Sequence, residues 1–189
     1  MQFKSITAIA VLSLVVASLS VAGCVQTTNQ TSPTPVAQEN FLQYNNSTAG
    51  ISIKYPKDWK VNETPLEEYV VRFEAPGMSS VIGVAKVNQS RWGSSATPES
   101  VTPGIIEGLK QANQEFTLLE NNTTTFAGMP AHKIVLTFRG STTGTITKAS
   151  EVYTIKNGSL YAVISQTVAD RYDSYAGIGQ QMLDSFENK

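Results

Sequence analysis

The chain has 189 residues, a formal net charge of −1 and only 15% charged residues. A net charge this close to zero gives no sign of a basic surface, so we expect neither nucleic acid nor an anionic lipid surface as a partner. The charged fraction lies well below the roughly 25% of ordinary domains, so Ser, Thr and Asn must supply much of the polar surface. Cys24 is the only cysteine, which rules out an intramolecular disulfide within this chain.

Residues 1–23 are typical of a secretion signal. Lys4 provides a positive charge, and an apolar stretch over residues 6–19 is followed by small residues. The sequence Val21-Ala22-Gly23-Cys24 resembles the box of a bacterial-type lipoprotein signal. That resemblance implies cleavage before Cys24 and a diacylglycerol on its sulfur, and two acyl chains give stable anchoring. A plain signal peptide and an uncleaved membrane-spanning anchor are the open alternatives.

Residues 24–40 are interpreted as the lipidated cysteine and a tether. The 16 residues after Cys24 carry no apolar periodicity and include Pro33 and Pro35. As a flexible coil they would span roughly 20–25 Å, which holds the following domain clear of the lipid headgroups. We therefore expect residues 41–189 to form one domain at the outer face of the cytoplasmic membrane.

The first half of this domain predicts strands and then a helix. Apolar and polar residues alternate over residues 51–55 and 69–74, as in half-buried strands. Pro76-Gly77 is a turn signal, and a further strand is predicted over residues 81–87. Thr102 followed by Pro103 is typical of a helix start, with Thr102 as the N-cap and Pro103 at the first helical position. An apolar stripe follows over residues 105–112.

The second half repeats the pattern. Strands are predicted over residues 116–119, 131–139, 152–156 and 159–165. Asn157-Gly158 favours a type I′ turn, because both residues tolerate positive φ, and this turn would place Ile155 opposite Leu160. Asp173 is expected to cap a final helix with one apolar face. The predicted order is four strands, helix, four strands, helix, which indicates an α+β fold with a mainly antiparallel sheet flanked by helices.

Asparagine placement is the second informative feature. Eight of the 11 asparagines begin an N-x-[ST] motif, where chance predicts about two. The eight candidate N-glycosylation sites are Asn29, Asn45, Asn46, Asn62, Asn88, Asn121, Asn122 and Asn157. We interpret them as a glycan coat that replaces charge as the solubilising surface, with Asn157 among the occupied sites. Polar turns that create the motif by accident are the alternative.

Three groups of residues form recognisable motifs. GISIKYPKDW occupies residues 50–59, FAGMPAH occupies residues 126–132, and Asn157-Gly158-x-x-Tyr161 precedes a closing Ser185-Phe186. These motifs resemble those of PsbP-like domains, which share a fold with the Ran-binding protein Mog1, and the resemblance covers about residues 41–188. It implies an antiparallel sheet sandwiched by helices (an α/β/α sandwich). The best-known members are extrinsic subunits that dock on photosystem II and influence manganese, calcium and chloride retention. Because one fold hosts many functions, the motifs leave the partner open.

No catalytic or metal-binding set stands out. His132, the only histidine, shares the parity of Ile134, Leu136 and Phe138, which predicts a place at the edge of an apolar face. A Ser–His–Asp system would have to use His132, and no serine lies in a G-x-S-x-G elbow. One histidine without a free cysteine disfavours zinc. We therefore predict no catalytic residue, no metal and no cofactor.

Two carboxylate clusters leave calcium open as an alternative. They are Glu63 with Glu67 and Glu68, and Asp170 with Asp173. A solvated face and a helix cap are the favoured explanation of them without a metal, and no EF-hand loop is present.

The two tryptophans are interpreted differently. Trp59 closes the first motif and is predicted to lie in the core. Trp92 follows Arg91 in a polar loop, so we predict Arg91 and Trp92 as a possible partner contact. The alternative is that Trp92 folds back over the sheet edge.

The expected function is a non-catalytic, membrane-tethered, extracytoplasmic binding or assembly module. Its partners would be the membrane lipid, through Cys24, and an unknown surface or membrane protein. The alternatives are a surface hydrolase that uses His132 and a single-domain solute-binding lipoprotein.

Overall fold

The structure, a computed structural model, describes residues 40–66, 68–78, 80–88, 92–140 and 144–189. The predicted signal, Cys24, most of the tether and Asn29 lie outside the described residues. So do Glu67 and Arg91.

The described residues form ten strands and two α-helices. Five strands precede the first helix: β1 (Phe41–Asn46), β2 (Ile51–Pro56), β3 (Lys60–Asn62), β4 (Tyr69–Glu74) and β5 (Ser80–Asn88). The first helix and the four strands after it are α1 (Pro98–Ala112), β6 (Gln114–Phe126), β7 (Met129–Arg139), β8 (Ile146–Lys156) and β9 (Ser159–Val168). The chain then forms α2 (Tyr172–Asp184) and the short β10 (Glu187–Asn188).

The strands form two sheets in which all pairings are antiparallel. The seven-stranded sheet has the order β3-β4-β5-β9-β8-β7-β6, and the three-stranded sheet has the order β1-β2-β10. The predicted α+β class with a mainly antiparallel sheet is confirmed.

The two helices pack on opposite faces of the seven-stranded sheet. Because side chains alternate along a strand, each strand contributes to both faces. On the α1 side, Ile105 and Leu109 of the helix pack with Ile134 and Leu136 of β7. On the α2 side, Met182 belongs to a second cluster that includes residues of β2, β4 and β5. The one-sided apolar patterns of both helices therefore predicted correctly that each would lie on a sheet.

The β8–β9 hairpin has the predicted geometry. Asn157 and Gly158 have φ values of 47° and 76°, as a type I′ turn requires. Ile155 pairs with Leu160 in this hairpin. Trp59 is 5% exposed and belongs to the α2-side core, so its predicted core position is confirmed.

The predicted start of α1 is wrong. The helix begins at Pro98, and Thr97 is its N-cap. The Thr97 side chain accepts a hydrogen bond from the Ser100 backbone N–H at 3.1 Å. In return, the Ser100 hydroxyl accepts one from the Thr97 backbone N–H at 2.9 Å. This reciprocal capping box is an earlier Thr-Pro start signal than the one at residue 102. Thr102 instead lies buried inside the helix, and Pro103 follows it there.

Other element predictions also need correction. Asp173 is not the N-cap of α2, because the helix begins at Tyr172 and Asp173 lies in its first turn. Of the five strands before α1, only β2, β4 and β5 match a predicted range; β1, β3 and the short β10 after α2 had none. β1 and the second half of β6 are rich in exposed polar residues, so apolar alternation did not mark them as strands.

Candidate functional site

A groove on the α2 side of the sheet is a large concave feature of the described residues. The helix packs mainly against β2, β5 and β9. Residues on the same face of β6, β7 and β8 line the space beside it. The resulting groove, which we call the α2 groove, has a volume of about 620 Å³.

The floor and the wall of the α2 groove combine apolar and hydroxyl groups. Val152 and Val163 contribute apolar floor, and Ser150 and Ser165 contribute hydroxyls beside them. These residues alternate with α1-side residues along β8 and β9, so the pleat of the sheet places them on one face.

Small residues of α2 keep the helix close to this floor. Ala176 and Gly179 line the groove with Tyr172 and Leu183, at a spacing that places all four on one side of the helix. A Cβ added at Gly179 would meet the Ser165 Oγ at 3.7 Å, which is an ordinary contact distance. The helix therefore lies close to the sheet and forms one shallow side of the α2 groove.

The charged groups near the groove have partners within the domain. Lys133 Nζ lies 2.9 Å from Glu120 Oε2, and Lys148 Nζ lies 4.1 Å from the centroid of the Tyr172 ring. Asp184 accepts a hydrogen bond from Gln180 Nε2 at 2.7 Å. These pairs are partly exposed, so each adds little stability. They leave the groove without a dense charge of either sign.

The described chain enters the domain beside this groove. Phe41, the first residue of β1, lines a smaller pocket of about 210 Å³ with Asp184 and Ser185. Asp184 also lines the α2 groove. The point where the predicted tether joins the domain is thus next to one end of the groove.

His132 lies on the α1 side with Ile134, Leu136 and Phe138, as its parity predicts. It is 6% exposed, and its Nε2 lies 2.6 Å from the Asn121 Oδ1. Its ring stacks on Tyr153 with centroids 5.9 Å apart. Burial lowers the pKa of His132, which Glu99 opposes electrostatically. In the tautomer with a proton on Nε2, the ring donates to the amide oxygen of Asn121.

This arrangement does not form a nucleophile–base–acid set. The partner of His132 is an amide, and in the described part of the chain His132 has no hydrogen bond to a serine or a carboxylate. The hydrolase alternative therefore gains no support from the geometry around His132.

The carboxylate clusters of the sequence do not converge either. Among the described residues, no group of three or more His, Cys, Asp or Glu side chains is placed to hold a metal ion. Glu63 instead accepts a hydrogen bond from the Tyr44 hydroxyl at 2.6 Å. Asp170 and Asp173 are exposed at the start of α2.

Glu151 is a buried titratable residue that the sequence analysis missed. It is 2% exposed and lies on the α1 side between Ile134 and Ile164 of the neighbouring strands. Burial raises its pKa to about 7, and its Oε1 has no hydrogen-bond partner among the described residues. Glu151 shares one face of β8 with Tyr153 and Ile155, and this alternation was the feature of the sequence that could have indicated its burial.

Trp92 is partly buried and packs against the α1-side core. Its indole Nε1 is buried and has no hydrogen-bond partner in the described part of the chain. Arg91 lies outside the described residues, so a partner contact through Arg91 and Trp92 stays a prediction.

The glycosylation candidates in the described residues all reach the surface. Asn45, Asn88, Asn121, Asn122 and Asn157 are exposed, and Asn46 and Asn62 are half-buried. Their occupancy stays a prediction. None of the described helices is long and apolar enough to span a membrane.

The architecture is similar to that of several solved structures. Cyanobacterial PsbP (CyanoP) from Synechocystis sp. PCC 6803 matches with a TM-score of 0.60 at 16% identity, over 85% of this chain and 99% of that chain. LpqN of Mycobacterium tuberculosis, which is involved in cell envelope biogenesis, matches with a TM-score of 0.54 at 11% identity, over 82% and 88% of the two chains. PA94 of Pseudomonas aeruginosa, a protein of unknown function, matches with a TM-score of 0.51 at 10% identity, over 77% and 95%. At these identities the likeness shows the fold.

The family comparison covers almost the whole chain. A search of curated proteins gives no significant match. The family model described as PsbP-like protein matches residues 6–187. That match agrees with the motifs of residues 50–59 and 126–132 and with the antiparallel sheet flanked by two helices. The chain belongs to the family of PsbP-like proteins.

Proposed function

We propose that this protein is a non-catalytic binding or assembly module, held at the outer face of the cytoplasmic membrane by a lipid on Cys24. The observation that carries the binding role is the α2 groove of about 620 Å³. The lipoprotein-like box at residues 21–24 supports the tether. The likeness to LpqN, a protein of cell envelope biogenesis, supports an extracytoplasmic role.

The lining of the groove indicates what kind of surface would fill it. Apolar floor at Val152 and Val163 lies beside hydroxyl groups, and the nearby charges are already paired. A partner segment that offers apolar side chains with a few hydrogen-bonding groups fits this lining better than a densely charged ligand does.

The position of the chain entry supports a partner close to the membrane. The tether joins the domain at Phe41, whose pocket shares Asp184 with the α2 groove. A tether of 16 residues reaches roughly 20–25 Å as a flexible coil. The groove therefore stays within reach of proteins that lie in or on the same membrane.

A small solute is the second candidate occupant. The volume of the groove lies within the roughly 300–1,000 Å³ of small-molecule sites. In that case the protein would be a single-domain solute-binding lipoprotein.

The test blocks the groove and leaves the rest of α2 unchanged. Ala176→Arg places a long side chain at an exposed position of the groove wall, whereas Ser174→Arg adds the same charge at an exposed position outside the lining. The lipidated protein is crosslinked in its native membrane, and captured proteins are quantified by mass spectrometry. We expect Ala176→Arg to lower partner recovery by about tenfold or more and Ser174→Arg to leave recovery unchanged.

Equal recovery with both variants would contradict the groove as the contact surface. Native mass spectrometry of the same preparations separates the two occupants. A small molecule bound to the wild type and to Ser174→Arg, but absent from Ala176→Arg, would favour the solute candidate.

A further inference from the structure

The N-glycosylation motifs concentrate on the edge strands of the two sheets. β1 is an edge of the three-stranded sheet, and β3 and β6 are the edges of the seven-stranded sheet. Five of the seven motifs in the described residues begin on these strands, at Asn45, Asn46, Asn62, Asn121 and Asn122. Asn88 is the last residue of β5, and Asn157 lies in the β8–β9 turn. Among the described strands, β2, β4, β7, β8 and β9 contain none.

An edge strand presents unpaired backbone N–H and C=O groups that can pair with another chain, and proteins commonly protect such edges with charge, proline or bulges. Two edge segments here have such protection. β3 has only three residues, and Lys60 is one of them. The first half of β6 has two register irregularities, and Glu115 pairs there with Arg139 at 2.6 Å.

The edge segments formed by β1 and by the second half of β6 lack this protection. Residues 41–46 of β1 and residues 121–126 of β6 contain neither a charged residue nor a proline. Leu42 of β1 is 49% exposed, and three consecutive threonines give the β6 segment a strong strand preference. Each of these two segments carries a pair of overlapping motifs, Asn45 with Asn46 and Asn121 with Asn122. We call these the twin motifs.

One asparagine of each twin motif is held by the fold, and the other is free. Asn46 donates to the Tyr44 hydroxyl at 3.1 Å and accepts from the Ala49 N–H at 2.9 Å. Asn121 accepts from His132 at 2.6 Å. Asn45 and Asn122 are exposed, and within the described residues neither makes a side-chain hydrogen bond. Their amides can reach a transferase without breaking a contact.

We propose that Asn45 and Asn122 carry N-linked glycans that shield the edges of β1 and β6 from pairing with other chains. The inference rests on the extracytoplasmic location in the proposed function. In the modification, a lipid-linked oligosaccharide phosphate is the donor. A bond forms between the Asn Nδ2 and the anomeric carbon, the bond from that carbon to the phosphate oxygen breaks, and the amide proton leaves with the released lipid phosphate.

The twin motifs allow a test that leaves every asparagine in place. Thr124→Ala removes only the motif of Asn122, and Thr123→Ala removes only that of Asn121. On β1, Ser47→Ala removes the motif of Asn45, and Thr48→Ala removes that of Asn46. The full chain and its variants are purified from the native membrane, and their intact masses are measured.

We expect Thr124→Ala and Ser47→Ala each to lose the mass of one glycan and the other two variants to lose none. A native protein without added glycan mass would overturn the proposal. Loss of glycan mass in Thr123→Ala or Thr48→Ala in place of their neighbours would overturn the choice of sites.

Shielding is tested by the self-association of the same proteins. Sedimentation velocity in detergent should show Thr124→Ala associating about tenfold more tightly than the wild type, because its β6 edge is bare. Thr124→Ser keeps the motif and should behave as the wild type. Adding Thr125→Lys to Thr124→Ala should reverse the association by placing a charge on the edge. A monomeric Thr124→Ala protein would overturn the shielding role. Thr124 and Thr125 also line the α2 groove, so partner recovery is not a readout of these variants. The groove is tested by Ala176→Arg and Ser174→Arg, and a failure of the glycan masses or of the self-association does not count against it.

Discussion

At the scale of single residues, the buried carboxyl of Glu151 has the clearest energetic consequence. Its pKa is raised from 4.5 to about 7 because burial penalises the charged form. The folded protein therefore keeps this proton up to about pH 7, whereas the unfolded chain releases it near pH 4.5. Between these values the folded state binds more protons, so the contribution of Glu151 to stability falls as pH rises.

This linkage predicts a pH-dependent loss of stability that Glu151→Gln removes. Between about pH 4.5 and pH 7 the shift corresponds to a loss on the order of 3 kcal/mol in the wild type. The measurement is urea unfolding at several pH values for the wild type and for Glu151→Gln. Glu107→Gln, at an exposed position on α1, controls for the loss of one carboxyl. A wild type and a Glu151→Gln variant with parallel pH profiles would contradict the prediction.

Two other residues show how far side-chain parity can be interpreted from sequence. The parity of His132 predicted its apolar face correctly, because alternation along a strand is a local property. Parity could not show that Asn121 would hold the His132 Nε2, since that contact depends on how β6 pairs with β7. The partial burial of Trp92 likewise depends on a core that α1 and the sheet build together.

At the scale of elements, the sequence around α1 contains two Thr-Pro dipeptides, and each is a possible start of the helix. Both Thr97-Pro98 and Thr102-Pro103 match an N-cap followed by proline. The structure selects the first, because Ser100 completes a capping box there. Thr102 has a different role. Its Oγ1 lies 2.6 Å from the Tyr153 hydroxyl, so it joins the helix to the sheet.

The capping box predicts that Thr97→Ala destabilises the protein by about 1 kcal/mol, because one N-terminal N–H of α1 loses its acceptor. Chemical denaturation measures the change in the free energy of unfolding. Ser95→Ala, in the exposed turn just before the cap, should leave that free energy within about 0.5 kcal/mol of the wild type. An equal loss in both variants would show that the segment, and not the cap, is sensitive to substitution.

At the scale of the whole molecule, the predicted anchor and the domain occupy separate parts of the sequence. Residues 1–39 lie outside the described residues, and the domain has its own two-sided core. The lipid anchor therefore stays a prediction from the box at residues 21–24.

Cys24→Ser should abolish labelling by radioactive fatty acid, because the predicted lipid would attach through the Cys24 sulfur. The variant should also accumulate in unprocessed form, which the intact mass would show. Thr34→Ser in the tether serves as the control and should label like the wild type. Unchanged labelling and processing of the Cys24→Ser protein would show that the lipoprotein interpretation is wrong.

The sequence by itself determined the features that depend on neighbouring residues. Alternation marked residues 51–55 and 69–74 as strands, Asn157-Gly158 specified the hairpin turn, and the motif at residues 50–59 indicated the family. Only the tertiary structure decided which strands lie at sheet edges, because strand order arises from pairings between distant segments. The same holds for the α2 groove, whose residues come from β6 to β9 and α2. It holds for Glu151 as well, since its burial needs a helix that lies some 40 residues earlier in the chain.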